Sequence, residues 1–282
     1  MKLVLVPTDM SDTAAHALRY AGALAERFDA HLLVLYADPF MPPMDFGATI
    51  AFSVRRDELI ESAREELEMH VEENIDATVP YDVRVLAQSP VDAILEQACD
   101  TGADLIVMGT HGRSGLTRLI VGSVTEAVIR LASVPVIAVN SFCCEQPAGG
   151  PVVAPVAFTP ASLEALRYAA TLAENSPLLL YRGSGGGDAV SELSTLQEWI
   201  PRELRGRAEM KVVPQAATAE NIAAYAKQSG AGLIALGVPA APHLIGGLLH
   251  SSPCPVLTIN ERTVRLTVPD RTRSLTPVAA AE

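Results

Sequence analysis

The sequence predicts an α/β fold with parallel sheets, and three observations carry that expectation. Short, uninterrupted runs of Val, Leu and Ile alternate with segments of helical periodicity. The alternation then recurs, because ALRYA stands at 17–21 and again at 165–169. Finally, a strand-like run, ADLIVM (103–108), passes through a Gly-rich loop into a helical segment, SVTEAVIRLA (123–132). Uninterrupted apolar runs suit parallel strands buried on both faces. Strand–helix alternation is the pattern of sheets covered by helices on both sides, with right-handed crossovers.

In the first half, LVLVP, LLVLYA, YDVRVLA, LIVMG and PVIAV are the expected strands. Between the first two, Ala17, Leu18, Ala21, Leu24, Ala25 and Phe28 form one helical stripe. Ser11 or Asp12 can cap that helix. The charge-rich stretch 54–77 reads as a second helix with Leu59, Ile60, Ala63 and Leu67 on one face. Ser89-Pro90 opens a third, with proline in the first turn and Ile94, Leu95 and Ala98 facing inward.

The second half repeats the first in reduced form. ADLIVMG (103–109) aligns with AGLIALG (231–237), and VPVIAVN (134–140) with CPVLTIN (254–260). The shrinking separation between matched motifs implies lost residues in the middle of the second copy and across its loop. A chain of 282 residues suits two domains. The expected units are 1–142 and 150–262, joined by the turn-rich SFCCEQPAGG (141–150), with a tail at 263–282. SGGGDAVS (184–191) looks like a pyrophosphatase loop but lies after the wrong strand, so it reads as a flexible linker replacing a deleted helix region.

Bulk chemistry narrows the function classes. A net charge of −12 argues against a nucleic-acid surface, which is normally basic. No apolar run reaches the ~18 residues of a membrane span, and MKLVLVPTD lacks the core of a secretory signal. A cytoplasmic location is the expectation. Cys99, Cys143, Cys144 and Cys254 have no zinc-ligand spacing. The adjacent Cys143–Cys144 pair could be a redox element, but reduced surface thiols are the expected reading.

The loop carries the chemistry. GTHGRSGLTRLIVGS (109–123) reads G-x2-G-x9-G-S, with glycines at 109, 112 and 122. Strand, Gly-rich loop and helix N-terminus together present free N–H groups and the positive end of a helix dipole to an anion. Glycines allow close backbone approach. Arg113 adds a charged partner, and the hydroxyls of Ser123 and Thr125 are expected to add donors. A nucleotide phosphate is the leading ligand, against the plainer reading of the glycines as a turn. The second repeat replaces this loop with GVPAAPHLIGG (237–247), which has two prolines and no arginine, and Asp9 becomes Ala157. Proline removes an N–H donor, so the second copy is not expected to bind nucleotide. His243, His250 and Ser251–Ser252 could still form another site.

With these residues in view, the chain resembles the universal stress protein family. G-x2-G-x9-G-S is that family's ATP-binding signature, and KLVLVPTDMSDTAAHALRYA resembles its opening strand, Pro-Thr-Asp turn and first helix. The resemblance is strong over 1–140 and weaker over 151–260. It implies two open parallel five-stranded sheets of order 3-2-1-4-5, of the adenine nucleotide alpha-hydrolase-like kind. In that order the first strand, ending at Pro7-Thr8-Asp9, neighbours the fourth, ending at Met108-Gly109, at the switch point where open sheets bind ligands. Asp9 could accept from ribose hydroxyls or simply cap the following helix. By resemblance, the backbones of Thr8 and Tyr36 flank the adenine. Gly109, Gly112, Gly122, Ser123, Val124 and Thr125 match the family's phosphate and ribose contacts, and Arg113 matches an often basic position. His111, inside the loop, could touch phosphate or face solvent. ATP is the implied cofactor, with Mg²⁺ bridging its phosphates as an option. No catalytic residues can be assigned, so a nucleotide-dependent switch is favoured over an ATP-hydrolysing or adenylate-transferring enzyme. Family members pair through their last strands. Two repeats in one chain would form that pair internally, as a pseudo-dimer packed face to face through 134–140 and 254–260 with the two edges pairing antiparallel, and a further homodimer stays open.

Overall fold

The structure is a computed structural model that describes residues 1–39, 49–110, 122–141, 143, 149–173, 175–183, 188–214, 216–238 and 242–267. The first repeat runs β1 (Leu3–Pro7), α1 (Asp12–Phe28), β2 (His31–Ala37), α2 (Thr49–Asn74), β3 (Tyr81–Leu86), α3 (Pro90–Asp100), β4 (Leu105–Gly109), α4 (Ser123–Leu131) and β5 (Val136–Val139). The second runs β6 (Val152–Pro155), α5 (Pro160–Leu172), β7 (Leu178–Gly183), α6 (Ala189–Trp199), a 3₁₀ turn (Arg202–Arg207), β8 (Ala208–Val213), α7 (Ala219–Ser229), β9 (Leu233–Val238), α8 (Pro242–Ser251), β10 (Val256–Asn260) and α9 (Glu261–Thr267).

Local chemistry sets the boundaries. Ser11 caps α1, its Oγ accepting from the N–H of Ala14 at 3.3 Å. The helix ends where Asp29 turns left-handed, at φ 51°. The expected α1 stripe is buried, apart from the half-buried Phe28. On α2, Ala63, Leu67 and Val71 face the core, whereas Leu59, expected among them, is 44% exposed. On α3, Ala93, Ile94 and Ala98 are buried, and Leu95 packs at the margin.

Each repeat keeps the order 3-2-1-4-5, but the two do not form separate sheets. They merge into one ten-stranded sheet, β3-β2-β1-β4-β5-β10-β9-β6-β7-β8. All adjacent pairs are parallel except β5–β10, which is antiparallel. Its register is Val256↔Ala138, Leu257↔Ile137 and Thr258↔Val136, centred on equivalent residues of the two repeats. The two edges thus pair antiparallel, as expected, but they meet edge to edge along the sheet rather than face to face. Pairing satisfies the backbone groups that either edge would otherwise expose. Two apolar layers follow, one on each face, and each extends through both repeats. One joins Val4, Val6, Leu18 and Leu67 with Leu166 and Leu178. The other joins Leu5, Leu35, Ile94 and Met108 with Ile222 and Leu248.

Four further expectations need correction. As the outer edge strand, β3 is not buried on both faces: Asp82 and Arg84 alternate outward, as suits an edge carrying charge. The region read as a linker without a helix holds α6, shorter than α2, with 11 residues against 26. Asp188 caps it by accepting from the N–H groups of Val190 and Ser191, while 184–187 lie outside the described residues. The start of the expected tail is helical, since α9 covers Glu261–Thr267 and Thr263 is buried. Cys143 is buried, its thiol donating to Asn140 Oδ1 at 3.2 Å, so it is not a surface thiol. Cys144 lies outside the described residues.

Candidate functional site

Strands β1 and β4 pair only at Val4↔Leu105 and Leu5↔Ile106. Beyond that point β4 pairs with β5 alone, and the carboxyl ends of β1 and β4 part. This is the switch-point crevice of an open parallel sheet. A cavity of about 370 Å³ opens there, within the range of small-molecule sites.

Ten of the sequence-predicted residues line it: Pro7, Thr8, Asp9, Tyr36, Met108, Gly109, Gly122, Ser123, Val124 and Thr125. Gly112 and Arg113, with His111, lie outside the described residues. Six further residues complete the wall: Ala14, Leu35, Ala37, Asp38, Pro90 and Ile94. The inward stripe of α3 already pointed to Ile94. Leu35 and Asp38 carried no motif, and only the three-dimensional register brings them to the crevice.

The turn after β1 is tightly organised. Thr8 donates its N–H to Leu35 O at 2.9 Å, and its hydroxyl accepts from the N–H of Met10. Met10 takes the left-handed region at φ 59°. Asp9 Oδ1 accepts from both the N–H (3.1 Å) and the hydroxyl (2.6 Å) of Ser11. Asp9 thus braces the capping residue rather than capping α1 itself, while still lining the cavity. Burial holds the His70 imidazole on α2 below its ordinary pKa, against the opposing pull of Glu73 and Asp9.

Across the crevice stands the N-terminus of α4. Gly122 is its N-cap, with no side-chain cap hydrogen bond. The N–H groups of a first helical turn have no intrahelical acceptors. Here that turn, Gly122 to Thr125, lines the cavity. Gly122 has φ −61°, a conformation any residue adopts, so the backbone does not demand a glycine there. Gly109 is different: a Cβ on it would lie 3.2 Å from the backbone of Thr13, so packing under α1 favours glycine. The Thr125 hydroxyl donates to Gly109 O at 2.8 Å, tying α4 to β4, a bond within the fold that the motif did not announce. Gly122 N–H donates to Thr110 O, closing the base of the loop. Among the described residues, no group of three or more His, Cys, Asp and Glu gathers to hold a metal ion.

The second repeat uses its equivalent positions differently. By register, Tyr181 and Arg182 stand where Leu35 and Tyr36 stand in the first. Arg182 pairs with Glu192 at 2.9 Å, donates to Val156 O and lies 4.8 Å from the Phe158 ring centroid. Tyr181 packs on Tyr225 at 5.2 Å. These strand-end side chains are engaged by Glu192 of α6, Phe158 and Tyr225 of α7. Part of the expected loop, from Pro242 on, is helix α8. The Ser251 and Ser252 hydroxyls donate to the carbonyls of Gly247 and Cys254.

A family model described as the universal stress protein family matches residues 1–140. A universal stress protein of Methanocaldococcus jannaschii is 34% identical over 139 residues, covering 49% of this chain and 82% of the relative. One from Thermus aquaticus is 35% identical over 140 residues, covering 49% of this chain and 98% of the relative. The crystal structure of a universal stress protein from Archaeoglobus fulgidus aligns with a TM-score of 0.66 at 20% identity, covering 92% of this chain and 98% of that one. The last likeness spans both repeats and speaks to fold alone.

Proposed function

The chain belongs to the universal stress protein family, and from that premise we propose that it is a tandem member whose first repeat binds ATP and acts as a nucleotide-dependent switch in stress response. One observation carries the reading. A single cavity joins the bonded Thr8–Asp9 turn, an apolar wall of Leu35, Ile94 and Met108, and a helix N-terminus with no side-chain cap.

Those parts match the parts of the ligand. The apolar wall suits a flat purine lying against the ends of β1 and β2. The Asp9 carboxylate suits ribose hydroxyls as an acceptor. The first-turn N–H groups of α4 and its dipole suit phosphates. Gly112, Arg113 and the rest of the loop belong to the phosphate side by motif, and Mg²⁺ would be held mainly by the phosphates and water. A glycine at 122 that the backbone does not require is what close approach of a ligand would select.

The second repeat, over 150–262, serves as the first repeat's internal partner, and the β5–β10 pairing supports a pseudo-dimer. The switch works in the cytoplasm. The direct test is to denature the protein purified from cells and identify released nucleotide by anion-exchange chromatography. The reading expects ATP or ADP in amounts below or near one per chain, retained by the full chain and lost on Gly122→Val. Protein that carries none, and gains none when incubated with ATP, overturns it.

A further inference from the structure

The two repeats touch through a pair of equivalent asparagines at the ends of β5 and β10. Asn140 donates its Nδ2 to Ser252 O at 2.9 Å. Asn260 donates its Nδ2 to Ala132 O at 2.8 Å and to Ile129 O at 3.0 Å. Ala132 and Ser252 are themselves equivalent, so the contact is a swapped pair about the centre of the β5–β10 register. Both asparagines are buried, at 2% and 5% exposure.

Beyond that likeness the two differ. Ile129 and Ala132 close the C-terminal end of α4, where carbonyls lack intrahelical donors. The other end of the same nine-residue helix lines the cavity. Asn260 Oδ1 meanwhile accepts from the N–H groups of Arg262 (2.8 Å) and Thr263 (3.1 Å), capping α9. One side chain of the second repeat therefore holds α4 with its amide nitrogen and starts α9 with its oxygen. The corresponding oxygen of Asn140 accepts the Cys143 thiol, and its nitrogen holds the end of α8 in the repeat whose loop has lost the glycine pattern.

We propose that Asn260 is a positioning residue for the nucleotide site of the first repeat. It fixes the axis and depth of α4 from behind and couples α9 to ligand affinity. The inference rests on the nucleotide reading above. A short rigid helix transmits displacement at one end to the other, so a slack clamp at Ala132 misplaces the N–H groups facing the cavity. The second repeat, without a ligand of its own, thereby acts on the first. By reciprocity, a ligand on the α4 N-terminus must tighten the Asn260 end and α9 with it.

Serine separates the two roles, since it caps helices well but is too short to reach Ile129 and Ala132. Calorimetric titration of the full chain with ATP should show Asn260→Ser weakening affinity by about fivefold or more, in the usual range of coupling between sites. Asn140→Ser, the equivalent change, should leave affinity within about twofold of wild type if the coupling is specific. Circular dichroism checks that both fold. A second measurement needs no variant: hydrogen exchange of α9 amides in the wild-type chain should slow at saturating ATP. Equal losses in the two variants, unchanged affinity in Asn260→Ser, or α9 exchange indifferent to ATP would each overturn the coupling while leaving the nucleotide reading intact. Wild-type protein that binds no ATP refutes the nucleotide reading, and this inference with it.

Discussion

Replacing Gly237 by alanine tests why the second repeat keeps a glycine after losing the rest of the loop pattern. A Cβ at this position would lie 2.2 Å from Ser162 N and 2.5 Å from both Ala161 C and Ser162 Cα. All three are backbone atoms of α5, and none can rotate away. The equivalent change, Gly109→Ala, brings a Cβ no closer than 3.2 Å to Thr13, a gap that a few tenths of an ångström relieve. Gly237→Ala must instead move α5 and β9 apart by about 1 Å, at the upper end of overpacking costs, about 3 kcal/mol. Gly109→Ala should cost about 1 kcal/mol. For a chain of this size the larger figure is a fall in Tm of about 6–12 °C. Trp199 is the sole tryptophan and meets Phe158 edge-on at 5.8 Å, so its fluorescence reports the second repeat directly. Urea unfolding followed by that signal gives the stability of Gly237→Ala, and followed by circular dichroism that of Gly109→Ala. If Gly237→Ala unfolds within about 1 kcal/mol of wild type, or Gly109→Ala is the worse of the two, glycine at 237 is not there for packing.

Three other outcomes are expected. Gly122→Val puts a branched side chain at the cavity without straining a backbone at φ −61°, so ATP affinity should fall at least about tenfold, a lost charge-assisted contact being worth ~1.5–3 kcal/mol, while circular dichroism stays unchanged; retained affinity would place the phosphates elsewhere. The fragment 1–142 exposes the apolar β5 edge that β10 covers, so light scattering should find it dimeric or aggregated, and a soluble monomer at high concentration would count against the internal pairing. His70 is held below 6.5 by burial, so the folded state takes up fewer protons there than the unfolded chain: this contribution is fully present above the unfolded value and lost as pH falls through the folded one. Replacing His70 with Gln should flatten that part of the melting profile as pH falls from about 7 to below the ordinary imidazole value, and an unaltered slope would contradict the assignment.

Much of this architecture could be read from the chain because parallel strands are chemically conspicuous. LVLVP, LIVMG and PVIAV admit no polar break, and strands β1, β4 and β5 lie on them. At β3 the valines of YDVRVL outweighed a signal that was present, the alternation of Asp82 and Arg84 that marks one face as exposed. Helix α6 went unread because the glycines of 184–187 announce a linker and hide the cap at Asp188. For the site, the Pro7–Asp9 turn and Gly122–Thr125 were legible because they carry a motif. Leu35, Asp38 and Pro90 were not, since β2 and α3 reach the crevice only through strand register. The bond of the Thr125 hydroxyl was hidden for a similar reason: its acceptor, Gly109 O, lies 16 residues away across the loop. The merger into one sheet depends on two short edges meeting in antiparallel register, which the matched runs VPVIAVN and CPVLTIN suggest only once the repeat is noticed.

The central claim is that one crevice, at the ends of β1 and β4, holds one adenine nucleotide. Calorimetric titration of the full chain with ATP measures it most directly. Saturation is expected at about one site per chain, small-molecule pockets being few per protein, with the heat abolished by Gly122→Val and unaffected by Arg182→Ala in the second repeat. Two equivalent sites, or a single site that survives Gly122→Val but disappears with Arg182→Ala, would contradict it.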